Sequence, residues 1–80
     1  MGITLKERVE KIFKDNNLNY HCDYNNNTQQ VTITIIDGNQ FNNHLKLVEI
    51  MKRNGFVHID EYIIAGKAEY YDAEHTFELQ

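Results

Sequence analysis

The side chains of this 80-residue chain that could do chemistry are four histidines, one cysteine and twelve acids. His21, His44, His58 and His75, together with Cys22 and Asp60, are of the types that hold a transition metal. Zinc sites announce themselves as pairs of ligands at short, fixed spacing. His58-x-Asp60 places two such ligands on one face of a strand, and a single pair of this kind is too few. The spacing therefore points to no metal and no cofactor.

Cys22 beside His21 raises the question of a thiol nucleophile. Neighbouring residues of a strand point to opposite faces, so the two cannot form a dyad. Cys22 instead shares an apolar alternation with Tyr20 and Tyr24 and reads as a small core residue. A catalytic carboxylate pair needs a pocket that raises one of its pKa values. The spacing of Asp60, Glu61, Glu69, Asp72, Glu74 and Glu78 indicates none. No catalytic residue is assigned, and the chain reads as a non-enzyme.

Those same six acids carry the main signal. From residue 56 to 80 they stand against one base, Lys67, which leaves the segment at −5. Residues 1 to 55 hold seven bases and six acids, or +1, giving −4 overall. The acidic segment also bears Tyr62, Tyr70 and Tyr71. An acidic surface with aromatic side chains suits a basic protein partner. It disfavours direct binding to nucleic acid or to an anionic membrane. The residues expected to meet the partner are Asp60, Glu61, Tyr62, Glu69, Tyr70, Tyr71, Asp72 and Glu74.

Eighty residues make one domain, 1–80, that buries only about 60–65% of its unfolded surface. A single cysteine allows no disulfide within the chain and fits a reducing compartment. The first residues lack the apolar run of a signal peptide, and no stretch approaches the ~18 apolar residues of a membrane span. A cytoplasmic protein is expected.

The elements that must position these groups follow from periodicity. Thr4-Leu5-Lys6-Glu7 reads as a capping box. Leu5, Val9, Ile12 and Phe13 then form one helical stripe that ends near Asn16-Asn17. Residues 18–24 and 31–35 alternate as strands of a hairpin around Asn25–Thr28, closed below by Asp37-Gly38. A second helix from about Gln40 to Arg53 carries Phe41, Leu45, Leu47, Val48, Ile50 and Met51 over much of its circumference. Asn54-Gly55 ends it, with Phe56 folding back onto Met51.

The remaining residues read as strand, with a turn or bulge at Ala65-Gly66 and a further turn expected at Asp72–His75. Two long strands and three short ones both fit. Residues 12–18 parallel residues 50–56 at an offset of 38, although any helix-to-strand junction calls for such residues.

The expected architecture is α+β in the order α-β-β-α-β-β. An antiparallel sheet of four or five strands would carry both helices on one face. In size, acidity and the segment Glu69-Tyr70-Tyr71-Asp72-Ala73-Glu74, the chain resembles small phage-encoded inhibitors such as anti-CRISPR proteins and nucleic-acid mimics. That resemblance implies an inhibitor that offers carboxylates where a basic, nucleic-acid-handling protein such as a CRISPR effector expects phosphates. No functional residue is carried over from it. The alternative is a small structural or oligomerisation domain, possible as a homodimer, whose acids keep it soluble.

Overall fold

The first helix begins where the sequence offers a cap. The computed structural model describes residues 2–36, 41–67 and 70–80, and of Phe41, Lys67 and Tyr70 the backbone alone. Thr4 Oγ1 accepts the Glu7 N–H at 3.1 Å and donates its hydroxyl to Glu7 Oε1 at 2.9 Å. Glu7 thus completes the cap through the hydroxyl, whereas a standard capping box uses the Thr4 amide. Helix α1, Leu5–Asp15, buries Leu5, Val9, Ile12 and Phe13, the expected stripe.

The helix ends in a left-handed residue, Asn17 at φ 57°. Asn17 N–H bonds Lys14 O at 3.3 Å and Leu18 N–H bonds Phe13 O at 2.8 Å, the two bonds of a Schellman turn. Helix α2, Phe41–Arg53, also ends in a left-handed residue. Gly55 adopts φ 89° and donates to Lys52 O at 3.3 Å. Asn16 Nδ2 reaches Ile12 O and Asn54 Nδ2 reaches Ile50 O, both at 2.8 Å. The parallel at offset 38 is therefore also one of geometry.

Strands β1 (His21–Asn25), β2 (Gln30–Ile35), β3 (Phe56–Lys67) and β4 (Tyr70–Leu79) form one antiparallel sheet in the order β1-β2-β4-β3. Asn25 Oδ1 holds the first hairpin turn by accepting from Asn27 N–H and Thr28 N–H. This strand order is what two α-β-β halves give when their second strands pair. Thr32 and Thr76 face each other at that seam, their hydroxyl oxygens 3.2 Å apart.

One face of the sheet carries Val31, Ile33, Ile35 and Phe77. They share a single core with Leu5, Val9, Ile12 and Phe13 of α1 and Leu47, Ile50 and Met51 of α2. Both helices therefore lie on that face, and the other is open.

Several expectations change. β1 starts at His21, so Leu18 and Tyr20 precede the strand while still packing on the core. Of the two arrangements left open for the C-terminal residues, the two long strands are the one formed. Asp72–His75 is mid-strand because Tyr71, Ala73, His75 and Phe77 alternate inward without a break. Ala65-Gly66 lies within β3, beside a register shift between Ile63 and Ala65. Asp37-Gly38 lies outside the described residues.

Candidate functional site

The open face can be read from the register. Its central row crosses all four strands as Asp23, Thr32, Thr76 and Asp60. On one side lies the row His21, Thr34, Glu74, Tyr62, and on the other the row Asn25, Gln30, Glu78, Val57. Strands are about 4.8 Å apart, so Asp23 and Asp60 stand about 14 Å from each other across the sheet. Asp72 extends the face along β4, by its alternation with Glu74. β1, β2 and β4 contain no Lys or Arg, and β3 contains only Lys67. The face is polar and acidic, and Tyr62 is 63% exposed at its edge. His21 Nε2 lies 3.4 Å from an Asp23 carboxylate oxygen, both side chains largely exposed.

This divides the residues expected to meet a partner. Asp60, Tyr62, Asp72 and Glu74 lie on the open face, joined by Asp23 and Glu78. Glu61 and Tyr71 do not. Tyr71 is 8% exposed, and its ring stacks on His44 with centroids 4.0 Å apart and planes 5° from parallel. It cannot be a surface anchor, since β4 turns it toward α2. Glu69 and the Tyr70 side chain lie outside the described residues.

Glu61 leaves the open face because β3 is irregular. His58 pairs with Phe77 and Asp60 with Thr76, so Ile59 is an extra residue in the ladder. Such a bulge reverses the alternation beyond it. His58 and Asp60 consequently do not share a face, as their spacing had suggested. His58 and Glu61 do, and they meet His75 on the helix side.

A buried row of rings results. His44 Nε2 is 2.8 Å from the Tyr71 carbonyl oxygen, and His44 Nδ1 is 2.8 Å from His75 Nε2. His75 Nδ1 is 3.2 Å from His58 Nε2 and 3.4 Å from Glu61 Oε1. His44 and His75 are 2% and 0% exposed. Among the described residues no buried side-chain nitrogen or oxygen lacks a partner, so the rings satisfy one another. Burial, and then the neighbouring His44 and His58 rings, hold the His75 pKa down to about 4. His75 is neutral at pH 7.

A cavity of about 190 Å³ opens on the row, lined by His44, Leu45, Val48, His58, Glu61, Tyr71 and His75. His58, Glu61 and His75 each bring one potential ligand atom, all within 4.8 Å of one another. Residue spacing misses this cluster because the bulge, not regular alternation, brings Glu61 to the face of His58, and because His75 comes from another strand. One signal was available: His44 sits on the apolar stripe of α2 and His75 on the apolar alternation of β4.

Cys22 is half-buried against the core, and its Sγ lies 3.6 Å from Tyr20 O. Burial above all pushes its thiol up to about 11, so at pH 7 it is not a thiolate nucleophile. No described helix is long and apolar enough to cross a membrane. The chain matches no protein-family model, no curated protein and no solved structure.

Proposed function

We propose that this chain is a non-enzymatic binding module that docks a basic protein surface onto its open sheet face. The observation that carries the proposal is the composition of that face. Asp23, Asp60, Glu74 and Glu78 surround the Thr32–Thr76 pair, with no Lys or Arg among the described strand residues there. Complementary charge selects the partner and speeds its approach. Tyr62, exposed at the rim, is the aromatic side chain placed to bury against it. The partner is a protein rich in Lys and Arg, of the kind that handles nucleic acid. Occupying such a surface would keep nucleic acid from it, and the module would then act as an inhibitor.

The test is charge reversal. Asp60, Glu74 and Glu78 are changed together to lysine, and affinity for an Arg- and Lys-rich peptide is measured at two salt concentrations. An exposed ion pair is worth about 0.2–1 kcal/mol, and each reversal adds like-charge repulsion to that loss, so three reversals should weaken binding about tenfold. The parent's affinity should fall as salt rises. Equal affinity of a folded triple variant would refute the docking face.

β3 favours a second reading, a self-associating domain. It is an edge strand, paired only with β4, and it exposes Ile59, Tyr62, Ile63 and Ile64. Such an edge invites a second copy. Sedimentation should then show a dimer that Ile63→Lys dissociates, whereas a 9.5 kDa monomer at all concentrations would reject this reading.

A further inference from the structure

We propose that His58, Glu61 and His75 bind one divalent first-row transition metal ion, zinc in the first instance, with a fourth coordination position open to the cavity. The site lies on the helix side of the sheet and does not depend on the docking face.

Three observations converge. The first is the spacing of the donor atoms. Two ligands bound to zinc at about 2.0–2.1 Å with tetrahedral angles lie about 3.3 Å apart. His75 Nδ1 stands 3.2 Å from His58 Nε2 and 3.4 Å from Glu61 Oε1. Two edges of a tetrahedral site are therefore in place. Glu61, with 37% of its side chain exposed, is the ligand free to swing and complete the third.

The second is the tautomer. The Tyr71 carbonyl can only accept, so His44 Nε2 carries a proton. In a neutral ring His44 Nδ1 is then an acceptor, and His75 Nε2 must donate to it. That leaves a lone pair on His75 Nδ1, aimed at His58 and Glu61. A cation between that lone pair and the carboxylate 3.4 Å away would turn their approach from repulsive to attractive. The run from carbonyl through His44 to His75 is also the kind of outer support that fixes a metal-binding imidazole.

The third is access. The cavity of about 190 Å³ is lined by all three residues, which leaves room beside them for an ion and a water. Two imidazoles and one carboxylate suit zinc and its neighbours, whereas calcium and magnesium demand more oxygen ligands.

Metal-free protein should be titrated with zinc by calorimetry and with cobalt by visible absorption. The expected result is one ion per chain, with the intense visible bands of four-coordinate cobalt. Glu61→Gln and His58→Gln change side chains that are not fully buried, and native amide spectra would show that each still folds. Each should bind zinc at least tenfold more weakly. His21→Gln, which alters the exposed His21–Asp23 pair, should bind like the parent. The proposal is overturned if folded parent protein takes up no zinc at millimolar concentration. It is equally overturned if both Glu61→Gln and His58→Gln bind like the parent, or if His21→Gln alone loses the ion. Each of these outcomes would leave a closed row of histidines in which His58 Nε2 donates to His75 Nδ1.

Discussion

His44 Nδ1 and His75 Nε2 stand 2.8 Å apart, 31 residues from each other in sequence, and this contact passes on to His75 the proton order that the Tyr71 carbonyl sets. A helix and a strand meet there through two polar rings where an ordinary core would place Leu or Phe. The backbone carbonyl of Tyr71 anchors one end, and the bulge at Ile59 delivers His58 and Glu61 to the other.

Removing the ring nearest the Tyr71 carbonyl should be costly. His44→Ala deprives both His75 Nε2 and the Tyr71 carbonyl of a partner and takes away the ring stacked on Tyr71. A loss of about 2–4 kcal/mol is expected in denaturant unfolding. His21→Ala, on the exposed pair, should change stability by less than about 0.5 kcal/mol. Equal effects of the two substitutions would mean that the buried row contributes nothing special.

The metal-free protein should lose stability in mild acid. His75 is held at about 4, below its ordinary 6.5, facing His44, His58 and Glu61. A folded value that is depressed means that the unfolded chain takes the proton first. The contribution is therefore complete above about pH 6.5 and is lost as pH falls toward 4. It should amount to about 2 kcal/mol, after allowance for the coupling of the rings. Titration of the His75 ring followed by NMR should give a midpoint well below 6. A midpoint near 6.5 would contradict the burial argument.

Gly55 supports the second helix end. At φ 89° an alanine is strained, although nothing lies within 4 Å of the position its Cβ would take. Gly55→Ala should cost about 1 kcal/mol, from backbone conformation alone. An unchanged melting temperature would show that the helix end does not need the left-handed residue.

Much of the fold was legible because its determinants are local. Thr4 with Glu7, the stripe Leu5–Val9–Ile12–Phe13, the alternation Val31–Ile33–Ile35 and the stop at Gly55 each act within one or two turns of chain. The site was less legible because it depends on register. Nothing near Ile59 announces the bulge, which arises from how β3 fits β4. A one-residue slip exchanges the faces of a strand, and so the spacing paired His58 with Asp60 where the bulge pairs it with Glu61. Tyr71 reads as surface beside acidic neighbours, yet falls in phase with Ala73, His75 and Phe77. Asp23 joins the acidic face from the other end of the sheet, a consequence of strand order that charge counting along the chain could not reveal.

The central claim is that partners meet the open face of the sheet. It is tested most directly by mapping amide chemical shifts while an Arg- and Lys-rich peptide is added. The account predicts that the largest changes fall on Asp23, Thr32, Asp60, Glu74, Thr76 and Glu78 and fade as salt is raised. Changes confined to the acids of α1, Glu7, Glu10 and Asp15, or spread evenly over the surface, would contradict it.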